Sequence, residues 1–451
     1  MKRLLAVCLV LWGVTPLQAK DYSFEEAYAR MLAKHEELAA ARQEVKAMQS
    51  QQKSARGLYF PTVGVQGRFT RIDDPITIDL NGIRSAVQPL YPAGVSLPSF
   101  DMMVQDDQFF KAQAYASLPL FTGGKIAAAQ DAAAANLSGA QAQEENLSGR
   151  LMVELAAKYF GHLLAVKKVE VLEQVLQNAR QNAGNGAKMF RAGTISKVEK
   201  MAVDVMLSQA KRDYVSAVND ASATQTLLKS LLTETEDVRP LSSLFVVPLD
   251  TLPSLEEFQN KARAGNPVLF LLDSKKELAS ANEKSRRAEF LPSVYLFGSR
   301  ELHTHDLTIL EPDYAYGVGF AWNLFEGGQS YYKTRAAREQ TRRVEDLRNR
   351  QVQNITAALA YYYEKMKNAR ETYEALRDEL AFTEEFYKAR EVGFKAGTAT
   401  SLEVNMALSQ WQKTQLDNLK AQYDFATSLA AILNLSGQAG LFCEYAQGAE
   451  K

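Results

Sequence analysis

The sequence predicts a mixed α/β membrane protein with an internal duplication, in which membrane-length strands lead into very long helices. Three observations predict this fold class. Two short motifs recur at one constant spacing, four segments alternate apolar residues with small or polar ones, and two long stretches have helical periodicity. Each half of the chain therefore carries one copy of the same strand–helix pattern.

The N-terminus has the pattern of a secretory signal. Two basic residues precede an apolar run at residues 4–14, and Ala19 offers a small residue at a cleavage point. This run has about eleven residues, well short of the ~20 that a transmembrane helix needs. We therefore expect residues 1–19 to be removed on export, which leaves Cys443 as the single cysteine of the mature chain and no disulfide framework.

Charge and motif content argue against two classes of function. The chain has 52 basic and 53 acidic residues and a net charge of −1. A general nucleic-acid binder would show a basic excess, so nucleic acid is not an expected partner. The sequence has no nucleophile–base pattern and no cofactor loop, so we expect neither an enzyme nor a bound cofactor.

The duplication rests on two motifs with a shared offset. Leu-Phe-Thr-Gly-Gly at residues 120–124 recurs as Leu-Phe-Glu-Gly-Gly at 324–328, and Phe-Arg-Ala-Gly-Thr at 190–194 recurs as Phe-Lys-Ala-Gly-Thr at 394–398. Both offsets equal 324 − 120 = 394 − 190 = 204 residues. We therefore divide the mature chain into a first repeat, an equatorial linker, a second repeat and a C-terminal tail, at residues 20–232, 233–253, 254–436 and 437–451.

The first repeat is longer than the second between two matched landmarks. Pro61 corresponds to Pro292 at an offset of 231, so the first copy has 231 − 204 = 27 extra residues before its Gly-Gly motif. These residues are rich in Pro, Gly and Asp, which favour turns. They predict a longer loop on one copy.

Alternation predicts two strands in each repeat. From residue 314 to residue 324, aromatic and aliphatic residues alternate with small or polar residues, as in a half-buried strand. A strand of about ten residues suits a tilted membrane crossing. The predicted strands are at about residues 61–71, 109–121, 292–302 and 313–325, and the third has the weakest alternation.

Long helices follow each Gly-Gly pair. Residues 329–390 contain neither proline nor glycine, and their apolar residues recur at steps of three and four, which is a coiled-coil pattern. Each long helix is expected to turn and return as a second helix, at residues 198–232 and 402–435. A soluble periplasmic coiled-coil adaptor or scaffold would also explain these helices. It would not explain four membrane-length strands.

Four strands from one chain cannot close on themselves in lipid. Known outer-membrane barrels begin at about eight strands, and an open sheet would leave its edge groups without hydrogen bonds. The sequence therefore predicts an oligomer. If its strands form a barrel in an outer membrane, we expect loops 71–108 and 302–312 outside the cell and the helices in the periplasm.

The sequence resembles the TolC family of outer membrane factors over residues 22–435. The resemblance rests on the duplication, the two recurring motifs and the strand starts at residues 60–61 and 291–292. The resemblance implies a homotrimer in the outer membrane, whose 3 × 4 = 12 strands form a transmembrane β-barrel that a periplasmic α-helical barrel continues. It also implies a passive exit duct for a tripartite efflux or type I secretion system, docked to a periplasmic adaptor and an inner-membrane pump.

The two helix turns, at residues 190–197 and 393–401, are candidates for adaptor docking. Glycine permits the left-handed backbone that a reversal needs, and Thr194 and Thr398, or Ser196 and Thr400, can cap the returning helices. Turn chemistry alone explains these residues, whereas the resemblance implies docking. The candidate docking residues are Phe190, Gly193, Thr194, Phe394, Gly397 and Thr398.

Three further groups of residues have a local interpretation. Charged residues above the second turn suit a solvated helix face, or a ring at a periplasmic constriction if they face the lumen of a trimer; they are Asp378, Glu384, Glu385 and Lys388. The glycine pairs fit strand–helix junctions and lack the pattern of a phosphate loop; they are Gly123, Gly124, Gly327 and Gly328. His303 and His305 could bind a metal beside Asp306, although such a triplet is common by chance.

Overall fold

The structure is a computed structural model that describes residues 20–308 and 311–448. The expected signal sequence at residues 1–19 lies outside the described residues. The chain divides into two compact units. The strand unit contains residues 47–137 and 274–345, and the helical unit contains the described residues of 1–46, 138–273 and 346–451.

The strands in chain order are β1 (Lys20–Tyr22), β2 (Thr62–Arg71), β3 (Ile76–Asp79), β4 (Asp101–Gln105), β5 (Gln108–Phe121), β6 (Val238–Pro240), β7 (Ser293–Glu301) and β8 (Tyr314–Ala321). The helices are α1 (Phe24–Lys34), α2 (Glu36–Arg56), α3 (Asn81–Val87), α4 (Lys125–Arg191), α5 (Lys197–Leu232), α6 (Leu255–Gly265), α7 (Pro267–Arg287), α8 (Gln329–Lys395), α9 (Ser401–Leu435) and α10 (Phe442–Gly448).

The strand unit is built on a four-stranded antiparallel sheet in the order β2-β5-β7-β8. Strand β7, whose alternation in the sequence is the weakest, lies inside the sheet and pairs on both sides. Strand β8 ends at Ala321, before the predicted end at residue 325. Directly after this end, the Trp322 indole Nε1 donates to the Phe290 carbonyl at 3.0 Å.

The 27 extra residues belong to a segment that is not simply a loop. Strands β3 and β4 pair antiparallel, and helix α3 lies between them in the chain. Asn81 joins these elements, since its backbone N–H donates to Asp79 and its side chain donates to Asp101. The turn formers in this segment indicated a loop, whereas short apolar pairs such as Ile78 and Met102 support a small hairpin.

In the helical unit, two long helices each pair with a shorter return helix. Helices α4 and α8 both have 67 residues, or about 100 Å at 1.5 Å per residue. Among the described residues, no helix is both long and apolar enough to cross a membrane. The core is aromatic: Phe24 packs on Tyr159, Phe160 and Phe442 with ring centroids 4.9–5.5 Å apart.

The proposed linker and tail both contribute to this core. Strand β6, at residues 238–240, pairs in parallel with β1 at the start of the described chain. The Tyr159 hydroxyl joins them, donating to the Tyr22 carbonyl at 2.7 Å and accepting from the Ser242 N–H at 3.0 Å. The tail forms helix α10, whose Phe442 is fully buried.

Candidate functional site

One face of the four-stranded sheet is apolar. Direct cross-strand partners share a face of an antiparallel sheet, and the register pairs Val65 with Ala114 and Leu296 with Val318 on the same side. Their neighbours on this face continue the apolar pattern: Val63, Phe69, Ala116, Leu118, Tyr316 and Phe320. The polar residues of this face are at the strand ends: Arg71, Gln108 and Arg300. Val318 is 64% exposed. A sheet face of this size with large exposed apolar residues is suited to lipid rather than water.

The opposite face carries a polar ladder. The Gln66 side chain donates to Gln113 at 2.8 Å, and Gln113 donates to Glu301 at 3.0 Å, so one hydrogen-bonded row crosses three strands. Lys111, beside this row, pairs with Glu311. The sheet therefore has one apolar and one polar face, which the alternation in the sequence predicts.

Glycines on the polar face make room for aromatic rings, a feature that the sequence interpretation missed. Tyr115 lies over Gly64 and Tyr295 lies over Gly319, each directly across one strand pair. A Cβ atom on Gly319 would lie 2.2 Å from the Tyr295 ring, and one on Gly64 would lie 2.6 Å from Tyr115. The alternation at residues 314–324 predicts only that Gly319 is on the small or polar side, and it predicts nothing for Gly64. The residue that indicates this role is the tyrosine directly opposite each glycine on the neighbouring strand.

The strand–helix junctions depend on left-handed glycines. Gly123, Gly124, Gly327 and Gly328 have φ between +60° and +93°, a conformation that favours glycine. At the first junction, a Cβ on Gly123 would also lie 2.8 Å from the Cβ of Leu291. The Leu-Phe pair before each junction is exposed, and Phe325 is 86% exposed.

The two helix turns have the same geometry. Gly193 and Gly397 have φ of +72° and +76°. The hydroxyls of Thr194 and Thr398 donate back to the carbonyls of Met189 and Gly393, in the helices that precede them. The returning helices are capped by Ser196 and Thr400, each in a capping box. The sequence allowed either Thr194 and Thr398 or Ser196 and Thr400 as caps, and the structure shows that Ser196 and Thr400 supply them.

The phenylalanines of the two turns differ in exposure. Phe394 is 2% exposed and packs in a core with Val404 and Trp411, whereas Phe190 is 42% exposed. The two residues occupy equivalent sequence positions, so the difference comes from the surrounding helices. In the single chain, the Phe190 ring is exposed at its turn and the Phe394 ring is buried.

The charged residues above the second turn are largely paired with each other. Lys388 contacts Glu384 at 2.7 Å and Glu385 at 3.4 Å, and its hydrogen bond to Glu384 raises the pKa of Lys388. Asp378 lies 3.9 Å from Arg377 and is mostly exposed. Local pairing thus reduces the net charge that Glu384 and Glu385 present.

The histidine triplet does not form a metal centre in the described residues. His303 Nε2 lies 3.4 Å from Asp306, but the His303 and His305 ring centroids are 6.2 Å apart. Asp306 accepts from the backbone N–H of Phe110 at 2.7 Å. Across residues 20–308 and 311–448, no group of three or more His, Cys, Asp or Glu side chains is arranged to hold a metal ion.

Comparison with known families accounts for this combination of a two-faced sheet and long helix hairpins. The sequence model of the family described as outer membrane efflux protein matches residues 27–234 and 259–438, which include all four strands of the sheet and both hairpins. The chain belongs to the outer membrane efflux protein family. This membership confirms the predicted resemblance and locates the chain in the cell outer membrane, with helices that extend into the periplasm.

Relatives in this family are distant in sequence. The alkaline protease secretion protein AprF of Pseudomonas aeruginosa is 23% identical over 64% of this chain and 62% of AprF. The outer membrane protein TolC of Vibrio cholerae is 23% identical over 45% of this chain and 48% of TolC. The match thus spans less than two thirds of either relative.

Solved structures are similar over more of the chain. The outer membrane channel CmeC of Campylobacter jejuni superposes with a TM-score of 0.75, covering 92% of this chain and 86% of CmeC at 14% identity. This likeness shows that the fold is that of outer membrane channels with long helices.

Proposed function

We propose that three copies of this chain form a passive exit duct through the outer membrane, as part of a tripartite efflux or type I secretion system. The observation that carries the proposal is the two-faced sheet with two free edges. Within the described residues, β2 and β8 each pair on one side only. In lipid, such edges need partners because unpaired backbone groups there cost several kcal/mol each.

A second and a third copy would satisfy these edges. Strand directions alternate across β2-β5-β7-β8, so β8 of one copy can pair antiparallel with β2 of the next. Three copies would close a 12-stranded barrel with the apolar face in lipid and the Gln66–Gln113–Glu301 row facing the lumen. The helices would continue the duct, and passage would need no chemistry from this chain.

The helix turns are the proposed docking sites for a periplasmic adaptor, which would connect the duct to an inner-membrane pump. Two turns per chain give 2 × 3 = 6 similar turns in a trimer, and six weak contacts can act together through multivalency. Phe190, Gly193 and Thr194 are accessible at the first turn, and Gly397 and Thr398 at the second. The paired charges around Lys388 are proposed to lie near the periplasmic constriction.

The proposal covers two classes of substrate, which are small molecules in efflux and proteins in type I secretion. AprF is a protease secretion protein, which favours protein export. CmeC is an outer membrane channel with the same fold, which suits efflux equally well.

Cell fractionation tests the proposed function against a soluble periplasmic adaptor or scaffold. We expect the wild-type protein in the outer-membrane fraction, resistant to extraction with high salt and with carbonate at high pH. A known soluble periplasmic protein is the control for contamination. Release of this chain with that control would contradict the duct and favour the adaptor.

A further inference from the structure

An arginine-lined pocket lies in the strand unit, beside the start of helix α8. It has a volume of about 310 Å³ and is lined by Arg335, Arg338 and Arg342, together with Tyr331 and Phe290. The four residues from α8 recur at steps of four, three and four, so they share one face of the helix. Phe290 comes from the turn that precedes strand β7.

The pocket has an excess of positive charge. Glu283 is shared between Arg287, at 2.5 Å, and Arg338, at 3.5 Å. Glu339 pairs with Arg342 at 3.1 Å. Arg335 has no ion-pair partner in the described part of the chain. The lining itself has three guanidinium groups and one carboxylate, Glu339, which leaves 3 − 1 = 2 positive charges. This excess suits a phosphate group because guanidinium binds phosphate oxygens in pairs.

Exposed aromatic residues lie near this pocket, where the chain leaves the sheet and enters helix α8. Tyr331, Tyr332, Trp322 and Phe325 are each about half exposed or more, and the Trp322 indole is tied to the Phe290 carbonyl. Tyrosine and tryptophan are enriched where a membrane meets water, since their rings are apolar and their edges are polar. If the four strands cross the outer membrane as proposed, these residues lie at its periplasmic boundary.

The direction of the side chains aims the arginines toward that boundary. Side chains on a helix lean toward its N-terminus, and α8 begins where the chain has just left β8. Arg335 and Arg338 lie six and nine residues after the first residue of α8, about 9 Å and 14 Å along the axis at 1.5 Å per residue. A long side chain that leans back shortens both distances, and it does so most completely for Arg335.

We propose that this pocket binds the phosphate of an anionic phospholipid in the periplasmic leaflet, with Arg335 and Arg338 as the main contacts and Tyr331 and Phe290 against the glycerol and upper acyl chain. The proposal rests on the proposed membrane location of the strands. It assigns to α8 a role in fixing the depth of the channel in the membrane. A free phosphate ion would use the arginines but not the exposed rings.

The test is a lipid titration of the purified full-length protein in detergent, with bound lipid counted by native mass spectrometry. Phosphatidylglycerol, phosphatidylcholine with the same acyl chains and inorganic phosphate are the three probes. We expect retention of phosphatidylglycerol alone. The double variant R335Q/R338Q should bind it about twenty-five-fold more weakly, from about a factor of five for each arginine near a membrane surface. R343Q is the matched control, because Arg343 is on the same helix, off this face, and bonds Gln340.

Three results would overturn the lipid site. They are equal retention of phosphatidylcholine and phosphatidylglycerol by the wild type, an equal loss in R343Q and in the double variant, and saturable binding of inorganic phosphate that displaces the lipid. Cell fractionation of the wild type tests the proposed membrane location independently of the lipid titration. A protein that stays in the outer membrane but shows any of these results loses only the lipid site, whereas a soluble wild type overturns the proposed function as well.

Discussion

At the scale of single residues, the sheet depends on which side chain lies across from which. Alternation in the sequence separates an apolar from a small or polar face, but it does not show that Gly64 and Gly319 lie under tyrosine rings. Cross-strand pairs join residues far apart in the chain, such as Tyr295 and Gly319. Their register therefore cannot be derived from a local pattern.

The two faces predict opposite responses to a new charge. Val318→Arg places a guanidinium on the apolar face, which costs about 2–4 kcal/mol near the middle of a bilayer. Ser299→Arg is the matched control, because Ser299 is on the polar face opposite Ala315. We expect the outer-membrane trimer to be lost in the first variant and retained in the second, as read by gel electrophoresis without heating. Equal assembly of the two variants would show that the faces are assigned wrongly.

Glu234 predicts a dependence of stability on pH. Its side chain is 3% exposed; it accepts hydrogen bonds from Tyr22 at 2.6 Å and Lys20 at 3.0 Å and lies 2.9 Å from Arg30. Burial raises the pKa of Glu234, but these bonds and the charge of Arg30 outweigh it and hold the pKa below its ordinary value of 4.5. The stabilisation is therefore complete above pH 4.5 and is lost as the pH falls through the lower, folded-state pKa.

Glu234→Gln should lower the free energy of unfolding at pH 7 by about 2 kcal/mol, a typical contribution for hydrogen bonds to a charged group. Unfolding by urea at pH 7 and at successively lower pH measures the difference, which should shrink in acid. Glu236→Gln is the control, since the Glu236 side chain is 42% exposed and lies 3.6 Å from Lys20. A difference that does not change with pH would contradict the ion pair as its source.

The helix turns predict a block of docking without loss of assembly. There is open space around Gly397, but its φ of +76° strains any residue with a Cβ. Asn tolerates this conformation better than most residues, so Gly397→Asn is the matched control for Gly397→Trp. We expect Gly397→Trp to keep the trimer and to lose both adaptor capture in a pull-down and export. Gly397→Asn should keep both functions.

Retention of adaptor binding and export in Gly397→Trp would show that the turn has only a structural role. The double variant with Gly193→Trp should be at least as impaired as the single variant, because the two turns have the same geometry.

At the scale of secondary-structure elements, local signals predict the long helices better than the short elements. Helices α8 and α9 follow from apolar periodicity and from a Gly-Thr turn, both of which are local. Strand β1 pairs with β6 more than two hundred residues later in the chain, at Lys20 and Val238. Helix α10 is too short for its periodicity to be informative. The sequence predicts only a linker where β6 lies and a tail where α10 lies, and it predicts no strand at residues 20–22.

The C-terminal helix is predicted to be part of the core rather than a dispensable tail. Phe442 is fully buried, with its ring 4.9 Å from Phe24 and 6.0 Å from Phe245. Phe442→Ala should destabilise the protein by about 3–5 kcal/mol, the usual cost of removing a buried phenylalanine. Phe442→Leu, which keeps most of the volume, should cost much less. Denaturant unfolding would contradict this account if both variants were as stable as the wild type.

At the scale of the whole molecule, the sequence motifs predict the family and the elements, but not the contacts between copies. The duplicated Gly-Gly and Gly-Thr motifs identify the family over nearly all of the mature chain, and the family model agrees. The candidate docking residues follow from the recurring turn motif and the family resemblance, and the constriction residues follow from their position above the second turn. Burial separates Phe190 from Phe394, a distinction that depends on the packing of four helices and not on the motif.

The central claim is that three copies join by their free strand edges, and disulfide trapping in intact cells tests it most directly. Val65→Cys in β2 is combined with cysteine at position 314, 316, 318 or 320 of β8, in a Cys443→Ser background. A disulfide requires Cα atoms within about 7 Å, so only edges that pair can react. Ala114→Cys replaces Val65→Cys as the control, because Ala114 is the register partner of Val65 in β5, which pairs on both sides.

The account predicts a covalent species of three chains for one or two positions in β8, seen on a denaturing gel without reductant and absent from the β5 control. Only monomers at every position, or a ladder no different from that of the control, would contradict the claim that these edges close a trimeric channel.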